Sequence, residues 1–341
     1  MQIAKRMTAL VLSVVCLLCA MGCDKREEVD SAQVVYEYGD EVITFGEYYI
    51  YARTVQEDYE ETYGSGIWSL EVSTDEGKSR VDNVTIQDII YNINRVKVLV
   101  AQAEDMEISL SDKERTEAKN VADTFYAGLT EKDIEKTEIT PEIVYQVVEE
   151  NMLAEEVYQQ VLAEHEFEIS EEEARMTTFC DMVFECYSVK QDGSVEEYTD
   201  EKKATQLEKA NEALATLATD EEMTYEMIVD KYDLEYAATY TMSRTELIEE
   251  YGESTTSKIL SLADGEVSVV IESEYGYHIF KMLQSKDEEL TKKNKEEIIE
   301  QMQKEYFNGV FEEWSKKYDS RFNYQEDVNM ELANMFPFSD V

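Results

Sequence analysis

The chain has 341 residues, of which 77 are acidic and 31 basic, so its formal net charge at pH 7 is −46. Such an acidic surface argues against a nucleic-acid partner and opposes direct contact with an anionic membrane. We interpret the carboxylates as a solvated surface rather than as calcium ligands, because none have EF-hand spacing. With 43% apolar residues the chain can still bury cores, and its length predicts two domains.

The N-terminus has the pattern of an export signal. Lys5 and Arg6 precede a nearly unbroken stretch of apolar and small residues at 7–21, which is too short for a confident transmembrane helix. The stretch ends in Ala-Met-Gly before Cys23, and this resembles the lipobox of bacterial lipoproteins. We predict that residues 1–22 are a lipoprotein signal peptide and that a lipid on Cys23 tethers the protein to the outer face of the cell membrane. The alternative is an ordinary signal peptide with an incidental cysteine.

Two further cysteines remain in the mature chain, Cys180 and Cys186. Both fall in one predicted strand, where a separation of six residues at about 3.3 Å each places their Cα atoms about 20 Å apart. That distance is too long for a disulfide between them. We therefore expect two small, buried apolar side chains, with neither a disulfide framework nor the spacing of zinc ligands.

The mature N-terminal part begins with a predicted hairpin at 34–38 and 41–43. A helix follows, because Thr44 and Glu47 have the spacing of a capping box. A second, strongly amphipathic helix is predicted from apolar residues at helical spacing. These are Ile86, Ile89, Ile90, Ile93, Val96, Val100 and Ala103.

Two later helix starts are clear in the sequence. Ser111 with Glu114 forms a capping box, and Thr140 is a suitable N-cap before Pro141 at the first helical position. Helices are expected to continue towards His165, to which we assign no role.

The composition changes after a third capping box, formed by Ser170 and Glu173. Residues typical of β-strands then alternate with helical patterns. The segment contains, in order, a predicted strand at 177–187, helices at 201–217 and 224–232, and strands at 267–271 and 277–282.

The helical period returns beyond Ser285, and its apolar face needs a partner. The apolar positions are Ile298, Met302, Tyr306, Val310, Trp314 and Tyr318. Because the middle segment can close on itself, we expect this last helix to pack on the N-terminal helices. The sequence therefore predicts an α+β fold with a mainly helical domain at 23–169, an inserted α/β domain at 170–285 with a small antiparallel sheet, and a C-terminal helix within 286–341.

Two motifs of the middle segment carry a family resemblance. Residues 262–268 contain Gly-Glu-Val-Ser leading into a strand, and residues 274–281 contain Tyr-Gly-Tyr-His-Ile. Together they resemble the C-terminal half of a parvulin peptidyl-prolyl isomerase domain. Residues 225–232 are similar to the second helix of that domain, so the resemblance covers about 170–285. The flanking helices are similar in pattern to the PrsA and SurA foldases, which are exported chaperones.

The resemblance implies a site that rotates X-Pro bonds, whose barrier is about 18–20 kcal/mol, without a cofactor or metal. His278 would belong to the polar network, and Leu247 and Tyr251 would line the proline pocket. Asp181 occupies the position where the first strand of parvulins usually carries a histidine, with the adjacent Cys180 as the other possible register. The alternative for His278 is a core histidine without a functional role.

The sequence also departs from the family pattern. The glycine-rich loop after the second helix is missing at 234–242, and Asp233 is a candidate for the polar residue expected before it. Two functions therefore stay open: a foldase that isomerises X-Pro bonds in unfolded or newly secreted polypeptides, and a holdase chaperone that binds them without turnover. A solute-binding lipoprotein would instead show repeated strand-helix units in two lobes, and the long helical stretches at both ends argue against it.

Overall fold

The computed structural model describes residues 30–74, 77–219, 224–234 and 237–338. The predicted signal peptide and the predicted lipidation site Cys23 lie outside these residues. Contacts divide the chain into two compact units: the described residues up to Glu166 together with those from Glu305 onward, and Phe167–Lys304. Among the helices of the described residues, none is long and apolar enough to cross a membrane.

The mixture of helices with small antiparallel sheets confirms the predicted α+β class. The strands are β1 (Val34–Tyr38), β2 (Glu41–Thr44), β3 (Glu71–Thr74), β4 (Gly77–Arg80), β5 (Met176–Glu185), β6 (Tyr187–Val189), β7 (Val195–Glu197), β8 (Ala237–Ser243), β9 (Ile271–Glu272) and β10 (Gly276–Gln284). The helices are α1 (Phe45–Tyr63), α2 (Val81–Asp105), α3 (Asp112–Gly128), α4 (Glu131–Thr137), α5 (Pro141–Ala163), α6 (Glu171–Ala174), α7 (Asp200–Thr219), α8 (Tyr225–Tyr232), α9 (Arg244–Leu260), α10 (Glu288–Tyr318), α11 (Tyr324–Asp327) and α12 (Met330–Ala333), with a short 3-10 helix at Ser65–Ser69.

The predicted helix starts agree with the observed caps. Ser111 and Ser170 each form a complete capping box, at the start of α3 and α6 respectively. The Thr140 side chain accepts the Ile143 N–H ahead of α5. At α1 only half of the predicted box forms, because Thr44 accepts the Glu47 N–H while the Glu47 carboxylate is ion-paired with Lys97.

The first unit has one large core to which both ends of the chain contribute. From Glu305 onward, α10 places Phe307 and Phe311 in the same buried cluster as the aromatic residues of β1 and α1. The ring of Tyr318 lies 5.1 Å from that of Tyr38, and the ring of Phe307 lies 4.7 Å from that of Tyr158. The part of α10 from Glu305 onward therefore completes the first unit, whereas its residues up to Lys304, with Ile298 and Met302 of the predicted apolar face, belong to the second unit.

A four-stranded antiparallel sheet in the order β8-β5-β10-β9 forms the centre of the second unit. Alternate residues of β5 point to opposite faces. Cys180 and Met182 pack in a cluster with residues of α7 and α8, whereas Phe179 packs in a separate cluster with residues of α9. The thiols of Cys180 and Cys186 are free and buried, as expected.

The predicted strand at 267–271 is wrong in extent. Val267 forms only an isolated bridge with Lys281, and the regular strand β9 begins at Ile271. The reason is that the Ser268 hydroxyl, rather than a backbone carbonyl, accepts the Phe280 N–H at 2.9 Å. A side chain thus replaces one bond of the ladder and interrupts the strand.

Two elements next to the site were missed by sequence reasoning. Strand β8 covers most of 234–242, which was interpreted only as a departure from the family loop, and extends to Ser243; helix α9 follows it directly. A signal for α9 was present, because Ser243 and Glu246 have the spacing of a capping box and form a complete one.

Candidate active site

The register of two central strands brings Asp181 and His278 together. Asp181 lies opposite Phe280 in the antiparallel pairing of β5 and β10, so it is a diagonal neighbour of His278 on the same face. Nδ1 of His278 lies 2.9 and 3.0 Å from the two carboxylate oxygens of Asp181. The face that carries Phe179, Asp181, His278 and Phe280 is called the site face below.

Burial makes this histidine-carboxylate pair a strong interaction. Asp181 is 4% exposed and His278 is 5% exposed, so water screens their attraction only weakly. Cys180, the other candidate for this position, points into the cluster on the opposite face of the sheet. The structure therefore places Asp181, and not Cys180, beside the histidine.

Ser273 extends the Asp181–His278 pair to a hydrogen-bonded row of three side chains. Sequence reasoning did not find this residue. Its hydroxyl oxygen lies 2.8 Å from Nε2 of His278 and accepts the Tyr275 N–H at 3.0 Å. Since a carboxylate can only accept hydrogen bonds, an ionised Asp181 holds the proton on Nδ1, and Nε2 then accepts the Ser273 hydroxyl proton. The serine thus fixes the second nitrogen of the imidazole as Asp181 fixes the first.

The glycine between Tyr275 and Tyr277 is required by close packing. Gly276 has φ +151°, and a Cβ atom placed there would lie 2.3 Å from the carbonyl oxygen of Phe184. Only glycine lets β10 begin this close to β5. The Gly in the Tyr-Gly-Tyr-His motif therefore sets the backbone that carries His278.

Tyr251 approaches Asp181 from helix α9. Its hydroxyl donates a 3.2 Å hydrogen bond to Oδ2 of Asp181, and its ring lies 5.3 Å from that of Phe280 at 88°. Burial, followed by the negative charge of Asp181, raises the pKa of Tyr251 far above its usual value. The phenol therefore stays protonated and remains a donor to the carboxylate.

Apolar side chains lie next to this polar row. Leu247 is fully buried in one cluster with Phe179, Phe280 and Met282, and the partly buried Tyr251 packs against it. Leu247 and Tyr251 are four residues apart, so they share one side of α9. The helix is interrupted directly after Tyr251 by Gly252, which has φ 73°.

Asp233, the candidate polar residue before the family loop, serves a different purpose. It is an exposed C-cap of α8 in the left-handed conformation, with φ 48°. On β8 the residue opposite Asp181 is Ala238, so this strand position adds no polar side chain to the row. In the described part of the chain, no group of three or more His, Cys, Asp or Glu side chains could hold a metal ion.

Comparison with known proteins identifies the domain that contains His278. Residues 188–284 match the family model of the PPIC-type peptidyl-prolyl isomerase domain, also called rotamase. The chain thus contains a parvulin-type isomerase domain, and the predicted resemblance is confirmed. The match begins after β5, so it includes His278, Tyr251 and Leu247 but not Asp181.

Several solved structures are also similar to this chain. PrsA from Bacillus cereus is 13% identical, with 79% of this chain and 98% of that chain covered and a TM-score of 0.30. PrsA from Bacillus subtilis is 16% identical, with 90% and 98% covered and a TM-score of 0.19. A SurA-like chaperone of Campylobacter jejuni is 11% identical, with 83% and 96% covered and a TM-score of 0.27. No curated protein matches the chain significantly. Because these TM-scores are below 0.5, the assignment of the domain rests on the family model.

Proposed function

We propose that this protein is an extracytoplasmic foldase that binds unfolded secreted polypeptides and catalyses cis/trans isomerisation of their X-Pro bonds. The observation that carries the proposal is the row Ser273–His278–Asp181. This row lies beside an apolar cluster, and His278 belongs to the segment that matches the isomerase family.

The geometry suits a reaction that breaks no bond. Rotation about an X-Pro bond has a barrier of about 18–20 kcal/mol, because amide resonance is lost in the twisted form. The partly buried ring of Tyr251, packed on the buried Phe280, offers an apolar surface for the proline ring. The fixed dipoles around His278 can favour the twisted amide over both planar forms. Both nitrogens of the imidazole are hydrogen-bonded, so the ring is already oriented and no further free energy is needed to orient it when the X-Pro bond rotates.

An isomerase assay on the full chain tests this proposal. The wild-type chain should accelerate isomerisation of an X-Pro peptide, and His278→Ala should abolish the acceleration. His165→Ala removes the only other histidine, which lies in the first unit, and should leave the rate unchanged. A wild-type chain that fails to accelerate isomerisation would contradict the enzymatic part of the proposal.

A holdase without turnover is the second candidate, and it is favoured by apolar side chains exposed on the first unit. Tyr63 is 67% exposed, Leu70 54% and Val72 38%. Exposed apolar residues of this size can bind unfolded segments. Suppression of client aggregation that persists in His278→Ala, together with an uncatalysed isomerisation rate, would identify the protein as a holdase.

The lipid anchor on Cys23 is part of the same proposal. A thiol directly after the apolar stretch, followed by a charged tether, is suited to attachment at the membrane surface. Cells that express the chain should incorporate a labelled fatty acid into it, and Cys23→Ser should prevent incorporation and release the protein from the membrane fraction. Labelling that persists in Cys23→Ser would contradict this anchor.

A further inference from the structure

We propose that the site selects X-Pro bonds in which the residue before proline is lysine or arginine, an inference that rests on the proposed isomerase function. A family match does not by itself determine which residue may precede the proline. The selectivity proposed here follows from the charges around Asp181 in this chain.

Asp181 brings a negative charge to a position where screening is weak. Its carboxylate is 4% exposed and lies between His278 and Tyr251. The raised pKa of Tyr251 keeps its phenol protonated, so it carries no charge of its own. The site face therefore has a negative charge close to the place where the amide is expected to bind.

Tyr240 shows that the negative potential extends beyond the buried pair. It lies opposite Phe179 in the pairing of β8 and β5, so it shares the site face, and it is 37% exposed. After burial, the negative charges of Asp181 and Glu250 raise the pKa of Tyr240. Tyr251 is affected by the same two carboxylates.

Nearby cations do not compensate this potential. Residues 244–285 contain eight acidic and three basic side chains. Arg244 is ion-paired with Glu253 at 2.7 Å, and Lys281 pairs across the strands with Cys180, whose side chain is on the opposite face. The third, Lys258, lies exposed in the last turn of α9.

A cationic residue before proline fits this environment. Its Cα is about 3.8 Å from that of the proline, so a long lysine or arginine side chain can approach the exposed Glu250, and come under the field of Asp181, while the proline ring contacts the partly buried Tyr251. A glutamate at the same position would be repelled by both carboxylates. We expect kcat/KM at low salt to be about tenfold higher for a peptide with lysine before proline than for one with glutamate there. Attraction or repulsion by a few weakly screened carboxylates is large enough for such a difference.

Four peptides that differ only in the residue before proline test the inference on the full chain. With lysine, arginine, alanine and glutamate at this position, the expected order of kcat/KM is lysine and arginine, then alanine, then glutamate. The difference should shrink in about 0.5 M NaCl, where the screening length falls to a few ångströms. Equal rates for lysine and glutamate would overturn the inference while leaving the isomerase function intact.

Binding of the same four peptides separates the two proposals. If none is isomerised, the enzymatic proposal fails, and the order of their dissociation constants still tests the selectivity. Glu250→Gln should lower the lysine-to-glutamate ratio in either measurement. Glu208→Gln, an exposed carboxylate on α7, is the matched control and should leave the ratio unchanged. A ratio that is equally unaffected by both substitutions would contradict the role of Glu250.

Discussion

The hydroxyl of Tyr251 donates a hydrogen bond to the Asp181 carboxylate, which also binds Nδ1 of His278. Asp181 therefore receives a donor from helix α9 and another from strand β10. A carboxylate with two buried donors is held in one orientation, and it in turn orients the imidazole.

Tyr251→Phe removes this donor and keeps the ring. Loss of a hydrogen bond to a buried carboxylate should cost about 1.5–3 kcal/mol of stability. It should also lower kcat of the isomerase several-fold, with a smaller effect on KM, because the ring that faces Phe280 remains. Steady-state kinetics with one peptide would check this, and an unchanged kcat would show that the phenol is not needed to position the row.

Gly276→Ala should strongly destabilise the second unit. The added Cβ would meet a backbone oxygen at 2.3 Å, and φ is +151°, so a loss of about 3 kcal/mol or more is expected. Gly193→Ala is the matched control, since it also has positive φ (+81°) but nothing lies within 4 Å; about 1 kcal/mol is expected there. Hydrogen exchange of the β5 and β10 amides measures the loss of stability in each variant. Equal losses would contradict the close approach of Gly276 to the Phe184 carbonyl oxygen.

The first unit should become more stable when the pH is lowered from about 8 to about 5. The Lys97 ammonium is 3% exposed and ion-paired with Glu47 at 2.9 Å and Glu150 at 2.6 Å. Burial raises the pKa of Glu47 from 4.5 to about 7, and Lys97 offsets this only partly. A raised folded-state pKa means that the folded protein binds the proton more tightly, so stability is greatest below the unfolded value and is lost as pH rises through about 7. The expected change is about 3 kcal/mol.

Tryptophan fluorescence can follow this transition, because both tryptophans, Trp68 and Trp314, belong to the first unit. Glu47→Gln should remove most of the pH dependence in urea unfolding. Glu61→Gln, an exposed carboxylate on the same helix, should not. If the two variants kept the same dependence, Glu47 would not be its source.

Phe338→Ala should destabilise the first unit by about 3–5 kcal/mol. Phe338 is 4% exposed, and its ring lies 4.8 Å from that of Trp68. The Gln56 amide donates to the carbonyl of Pro337 at 2.9 Å, which fixes the segment beside α1. Urea unfolding followed by tryptophan fluorescence measures the loss, with the exposed Tyr63→Ala as a control expected to cost under about 1 kcal/mol. Equal losses would show that Phe338 contributes little to the core.

Local signals predicted much of this fold. The capping boxes at Ser111 and Ser170 are formed, since both partners lie three residues apart and need no tertiary contact. The family resemblance left Asp181 and Cys180 as two possible registers, and the pairing of β5 with β10 puts Asp181 on the same face as Phe280 and His278.

Contacts that depend on the folded chain could not be predicted in this way. Ser273 reaches His278 only because the turn before Gly276 brings them together. A lysine such as Lys97 is expected at the surface from its type alone. It is buried here because Glu47 and Glu150 form ion pairs with it from two other helices.

Exchange spectroscopy of an X-Pro peptide with a catalytic amount of the full chain is the direct test of catalysis at His278. Uncatalysed isomerisation takes tens of seconds or longer, so cis/trans exchange peaks appear only when the protein accelerates it. We expect exchange peaks with the wild-type chain and with His165→Ala, and none with His278→Ala. Exchange peaks that persist in His278→Ala, or their absence with the wild-type chain, would contradict catalysis at this histidine.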